Sequence, residues 1–573
     1  MLMWQLGSRM ERIRPFVVDW AENGPGTPLI AYPIYFAKVV CYALGGLWII
    51  QATSGIGSLA QVGQWWTEPV VFQKALIWSL LFEVAGLGCG FGLLTARFLP
   101  PMGGLFYWLR PGTIRLPPWS GRVPLTRGSR RSVLDALFYL ALLASAVWLL
   151  ISPAMHTDLG LYGPVHMLDP VRLIPLAVLV PLVGLRDKTI FLAARAEHLW
   201  VALLVLFLPY LDMIIMLKLL VVLLWWGAAT SKMNRLFPYA VSVMLTISPL
   251  LPRSGKRRLW RRFPADLRPS GLVKGLARGG TLIELVVPLV LLVSSDRLVT
   301  AIAVVTMVGF HLQIMGSMPN GQPHEWNVFT IFSIGYLFWG HFDDHVGLMP
   351  HPWLLAALAV AWLGVVVWGN LRPDQVSFLL AMRYYTGNWA TSLWAFQPSA
   401  ISKINKRVSM ASAFLKEQTR PLYGEHVAEV LVHKVLVFRS MHHHGRGVFG
   451  LLPHVTRPER EEGEKYDEYV VLDGEMVSGA LMGWNFGDGL LHNEQMMAAL
   501  HERCEFKPGE VRAVMLEPAP AGGDRQAYRL VDAATGELER GNVMVDDLLE
   551  RQPWEVDDLP RTPLVSRPPR VRS

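Results

Sequence analysis

Apolar runs of about 18–22 residues, long enough to cross a hydrocarbon layer as a helix, recur over the first two thirds of the chain. They fall at 29–50, 70–95, 133–152, 171–186, 198–229, 236–252, 276–295, 298–316, 327–342 and 352–370. This pattern predicts about ten spans. The 198–229 run is too long for one crossing and is interrupted at Pro209. It therefore reads as a helix pair, with 236–252 then re-entrant.

After Asn370 the pattern changes. The segment "QVSFLLAMRYYTGNWATSLWAF" mixes aromatics with Arg383 and Asn388, which predicts a helix lying at the headgroup level. Helical periodicity continues to about residue 440, and the polar run "RPEREEGEKYDE" marks a linker. Beyond it, a helix is expected at 492–505, a strand at 511–516, and a hairpin turning at Thr535-Gly536 within "YRLVDAATGELERGNVMV". The expected fold class is an all-α polytopic membrane bundle followed by a small α+β cytoplasmic domain. Its divisions are a cytoplasmic N-terminal segment 1–28, a transmembrane helical bundle 29–370, interfacial and cytoplasmic helices 371–456, a linker 457–468, a small α+β domain 469–560 and a disordered basic tail 561–573.

Composition supports the membrane class. Of 573 residues, 52% are hydrophobic and 17% charged, whereas a soluble domain carries roughly 25% charged residues. The net charge of +8 is gathered in alternate loops. Segment 97–131 holds Arg97, Arg110, Arg115, Arg122, Arg127, Arg130 and Arg131, and 253–268 reads "RSGKRRLWRRFPADLR", while 51–69 and 153–170 hold no Lys or Arg. The positive-inside rule then places both termini in the cytoplasm of a multi-pass plasma-membrane protein. This distribution argues against nucleic acid as a partner. Cys41, Cys89 and Cys504 are too few and too scattered for a disulfide framework or a zinc cluster. The start "MLMWQLGSRMERIRPF" lacks a signal-peptide core, so the first apolar run is expected to stay as an anchor. No Walker loop, GxSxG, CxxC or strand-following GxGxxG motif supports an ATP-driven, hydrolase or dinucleotide reading.

Ionisable groups inside apolar runs are the candidates for chemistry. Glu83 and Glu284 sit mid-run, where a lone charge costs about 2.5–3.5 kcal/mol on insertion scales. Each is expected to be protonated, paired or turned to a wet cavity. Lys218, with Asp212, is buried in "LDMIIMLKLLVVLLWWG"; it is either a base or a helix tie. His311 ends another run and is followed by "MPNGQPHEWN", which brings His324, Glu325 and Asn327 beside a helix break. Glu284, His311 and Lys218 are thus the catalytic or proton-moving candidates, with Glu83, His324, Glu325 and Asn327 in a pocket wall. His341 and His345 are four apart, a spacing able to hold a metal. Arg439, His442, His443, His444 and Arg446 form a candidate patch for lipid headgroups.

The stretch "FEVAGLGCGFGLLTARFLPP" resembles the DoxX-like membrane superfamily, whose helices carry a Glu followed by Gly-Leu-Leu-Thr. The later "TLIELVVPLVLLVSSDRLVTAIAVVTMVGFHLQIMGSMPN" resembles the HTTM domain shared with the vitamin K-dependent gamma-carboxylase, and that resemblance puts Glu284 and His311 at matching positions. As a whole, with "WWGAATSKMNRLFP", "MRYYTGNW" and "GWNFGDG", the chain is similar to an actinobacterial family of transmembrane proteins whose function is not established.

The leading expectation is a protein that binds a lipid-like or quinone-like molecule in a polar intramembrane pocket, in cell-envelope lipid metabolism. Membrane lipids and a cytoplasmic protein are its expected partners, and no cofactor is named by the sequence. Two rivals stand beside it, an HTTM-like enzyme doing redox or acid-base chemistry on a lipid and a non-catalytic envelope scaffold.

Overall fold

The computed structural model describes residues 9–88, 104–160, 163–319, 324–384, 386–456, 469–486 and 488–566. It is a predominantly helical, multi-pass membrane architecture with a small mixed α/β region. Among the described residues, six helices are long and apolar enough to cross a membrane: Ala31–Gln51, Val133–Ile151, Tyr210–Lys232, Gly271–Val293, Arg297–Ser317 and Trp353–Leu371. Tyr210–Lys232 is the central one, with 83% of its apolar window buried against 17–39% for the other five.

The expected count of about ten spans is therefore not met: six helices of that length and composition occur among the described residues. The remaining apolar runs form shorter or broken helices. Run 70–95 gives Pro69–Val84, opened by its proline. Its 16 residues rise about 24 Å, short of a hydrocarbon core of about 30 Å. Run 171–186 gives Pro170–Arg186 with Pro175 and Pro181 inside. Run 236–252 gives only Phe237–Ile247, and 327–342 divides into His324–Ser333 and a π-helical stretch Ile334–Gly340. Hydropathy registers apolar content and misses these breaks. The 198–229 run does divide near Pro209, into a π-helical turn Ala196–Trp200, a short helix Val201–Val205 and the central helix.

Ten strands occur among the described residues. β1 (Met155–Asp158) pairs with β2 (Pro164–Met167), and β3 (Trp260–Arg262) with β4 (Asp266–Pro269). β5 (Thr391–Phe396), β6 (Val470–Asp473), β7 (Val511–Leu516), β8 (Arg525–Asp532), β9 (Gly536–Met544) and β10 (Thr562–Ser566) form one antiparallel sheet in the order β10-β9-β8-β7-β5-β6. β7 and the hairpin closing Asp532 against Gly536 lie where the sequence placed them, as does the helix Glu494–Cys504.

Two expectations are corrected here. The stretch read as part of an interfacial helix contains β5, whose six residues are all buried. Leu393 and Ala395 face a core with Val448 and Phe449, while Trp394 and Phe396 face another with Met476 and Leu500. A strand covered on both sides reads as a continuous apolar run, which periodicity cannot tell from a helix. The tail expected to be disordered from 561 supplies edge strand β10. The linker at 457–468 lies outside the described residues, as does the whole of "CGFGLLTARFLPP".

The sheet region docks on the bundle. The Trp108 indole donates to the Met482 carbonyl at 2.9 Å, the Ala521 amide donates to the Asn370 carbonyl at 2.8 Å, and the Trp326 and Phe486 rings meet at 5.7 Å.

Candidate functional site

A cavity of about 710 Å³ lies among the helices. Glu83, Glu284, His311, Glu325 and Asn327, singled out from separate parts of the chain, all line it. Its remaining wall is mostly apolar, with Val221, Leu224, Phe237 and Phe310 among the contributors.

Glu284 accepts two hydrogen bonds, both 2.7 Å, from the ammonium of Lys232, the last residue of the central helix. The pair thus lies at the level of a helix end. Beside it, His311 Nε2 accepts from the Trp225 indole at 3.0 Å, and Nδ1 meets Asn327 Oδ1 at 2.9 Å. An indole N–H only donates, so Nε2 must carry the lone pair and Nδ1 the proton. His311 is held as one neutral tautomer with both nitrogens engaged.

A second polar group surrounds Glu83. Trp326 donates to Glu83 Oε1 at 2.7 Å, and Lys38 pairs with Glu325 Oε1 at 3.1 Å while donating to the Leu87 carbonyl at 2.7 Å. Arg195 pairs with Glu197 and donates to the Tyr384 hydroxyl at 2.7 Å, which itself donates to Glu197 at 2.8 Å. The Arg195 guanidinium also sits 3.5 Å from the centre of the Trp326 ring. Its backbone is left-handed, φ 48° and ψ 49°, a conformation costing about 1–2 kcal/mol for a residue with a side chain. The backbone of Gly88 presses against the Glu83 carboxylate, where a β-carbon would collide with the carboxylate oxygens. Tyr384 comes from the segment leading into β5, so the C-terminal part of the chain contributes to the cavity wall.

Residues 1–564 match the family described as "Transmembrane protein of unknown function (DUF3556)". The chain belongs to that family. No curated protein and no solved structure matches it.

The other expected site residues of this DUF3556 chain are placed elsewhere. His324 opens its helix with its ring edge-on to Tyr35 at 5.1 Å, next to the cavity rather than in its wall. Lys218 does not reach the cavity. Its ammonium donates to the carbonyls of His341 and Asp344, both at 2.6 Å, tying the central helix to the turn after Gly340, while Asp212 pairs with His351 at 2.7 Å. The metal expectation at His341 and His345 fails on His341: Nδ1 is against Asp344 at 2.8 Å and Nε2 against the Thr67 carbonyl at 3.0 Å. No group of three or more His, Cys, Asp or Glu among the described residues is placed to hold a metal.

The headgroup patch is also corrected. Arg439, His442, His443, His444 and Arg446 are at most 2% exposed. The helices Leu415–Met441 and His443–Leu451 lie against the sheet and carry these side chains inside. Arg439 pairs with Asp473 at 2.6 Å and Glu475 at 3.1 Å, and Arg446 donates to the carbonyls of Leu548 and Arg551. Burial pushes the His442 imidazole down to about 3 and His492 down to about 4, and holds His443 and His444 well below the usual range.

The sequence reading missed Lys38, Arg195, Glu197, Lys232, Trp326 and Tyr384. Lys232 closes its apolar run among Thr230, Ser231 and Asn234, so nothing in the sequence set it apart from an ordinary flanking cation. The others become partners only through tertiary packing.

Proposed function

We propose that the protein binds a lipid-like molecule in this cavity, its tail along the apolar wall and its polar end at the carboxylate and histidine groups. One observation carries the reading: five polar residues from the helices Pro69–Val84, Gly271–Val293, Arg297–Ser317 and His324–Ser333 line a single cavity whose wall is otherwise mostly apolar. A volume of about 710 Å³ falls within the range of about 300–1,000 Å³ common for small-molecule sites. The neutral, doubly bonded His311 suits a positioning role more than proton uptake. The domain around the six-stranded sheet covers the polar end through Tyr384 and Phe486, and is the natural place for a partner protein to influence the cavity.

The cellular setting belongs to the same proposal: a plasma-membrane protein with both termini cytoplasmic, acting in envelope lipid metabolism. The likeness of the Glu284 and His311 blocks to HTTM-type helices is consistent with it. The test is purification followed by mass spectrometry of co-purified lipids. Wild type should retain a defined lipid that Glu284→Gln/His311→Ala loses; identical, unselective lipids in both would sink the reading.

A further inference from the structure

The charges at the Glu83 end of the cavity do not balance among the described residues. Glu83, Glu197 and Glu325 are three carboxylates, against the two cations Lys38 and Arg195. Lys38 is engaged by Glu325 and Arg195 by Glu197. Glu83 has one neutral donor, the Trp326 indole. The pattern repeats at each carboxyl group: Oε1 is hydrogen-bonded, and Oε2 of Glu83, Glu197 and Glu325 is buried with no donor. Glu83 and Glu325 are 2% and 1% exposed, and both belong to the cavity wall. A buried carboxylate without a cation is unfavourable, and a buried acceptor without a donor adds to the penalty. Either a proton on Glu83 or one further positive charge closes this count, and a cation bearing N–H donors is the one that also satisfies the orphaned Oε2 atoms. Tyr42 and Trp326 line the same end and offer aromatic rings beside which a cation is favoured.

We infer that the cavity recognises an amine-bearing amphiphile, a protonated amine on an apolar tail, with its N–H groups donating to Glu83 and Glu325. The inference rests on the lipid-binding reading and narrows it. A quinone, whose oxygens only accept, meets acceptors at this end and fits it poorly.

Three probes with one twelve-carbon tail separate the possibilities: 1-dodecylamine, 1-dodecanol and dodecanoic acid. Binding to the full chain in phosphatidylcholine nanodiscs at neutral pH is read by native mass spectrometry, with empty nanodiscs as reference. The amine is expected to bind at least about tenfold tighter than the alcohol or the acid. Glu83→Gln and Glu325→Gln should weaken amine binding at least about tenfold and so remove that preference, and Ala228→Trp, which fills the cavity, should abolish binding of all three. Equal binding of amine and alcohol to wild type overturns the headgroup inference and leaves the lipid cavity standing. Amine binding that survives Ala228→Trp places the amine elsewhere and also overturns it. If none of the probes binds and no lipid co-purifies, the cavity reading falls as well. The wild-type comparison needs no variant to fold.

Discussion

Lys232 and Glu284 form the ion pair on which the middle of the cavity wall depends, with side chains 12% and 5% exposed. Removing one partner leaves the other as an uncompensated buried charge, typically costing about 3–5 kcal/mol. Lys232→Met should therefore lower the unfolding midpoint of the purified protein sharply, and Lys232→Met/Glu284→Gln should recover most of the loss. A double variant no more stable than the single one would show that the pair does not act as a unit. Gly88→Ala makes a separate test, since the new methyl group collides with the Glu83 carboxylate. It should perturb lipid retention as Glu83→Gln does, although it removes no polar atom.

The buried histidines of the sheet region give a pH dependence. In the unfolded chain an imidazole takes up its proton near about 6.5. In the folded chain His442 resists until about 3 and His492 until about 4, because burial opposes the charge and Arg439 adds repulsion. The unfolded state thus binds more protons below about 6.5, and each such histidine withdraws up to about 1.4 kcal/mol of stability per pH unit. Stability is complete above that value and declines as pH falls toward 4. Glu475, which burial pushes upward, works in the opposite sense and moderates the slope. Thermal unfolding followed from pH 7.5 to 5.5 should show a falling midpoint; a flat profile would contradict neutral burial of the cluster.

Residue by residue, what could be read in advance follows a simple physical line. Glu83, Glu284 and His311 are conspicuous because apolar neighbours make an ionisable group costly. Lys38 and Lys232 sit toward the ends of apolar segments, where a basic residue reads as an orientation signal. Lys218 was equally conspicuous and misleading, since its partners are backbone carbonyls, which leave no trace in sequence.

Among the elements, β5 shows the limit of pattern reading most clearly. Its neighbours in the sheet are β6 and β7, about 75 and 115 residues further along the chain, and no local signal announces them. A fragment limited to 469–566 lacks this inner strand and leaves the inner edges of β6 and β7 unpaired. It should be unfolded or aggregated, whereas one beginning near 372 has the whole sheet; circular dichroism of the two separates the cases. Folding of the shorter piece would mean that β5 is dispensable. The short helices make the same point for the bundle: their apolar content was visible and their bounds were not, with Pro69 opening one, a second running through Pro175 and Pro181 to end at Arg186, and the π-helical stretch Ile334–Gly340 following a third.

Taken whole, the molecule joins a membrane bundle and a sheet region across a continuous apolar core, and the polar end of the cavity lies near that junction. Truncation after Asn370 removes Tyr384 and Phe486 together. The shortened protein should still insert in the membrane but lose selective lipid retention, read by the same mass spectrometry. Retention equal to wild type would show that the C-terminal half plays no part in holding the ligand.

The position of β5 also sets a timetable. Bundle helices leave the ribosome first, and β5 follows at Thr391–Phe396, but β7 is complete only at Leu516. At roughly 5–20 residues per second that interval of about 120 residues lasts about 6–24 s. For most of it Met482 and Phe486 are not yet made, so the helices that carry Trp108 and Trp326 wait without the partners that dock on them, and closure comes last.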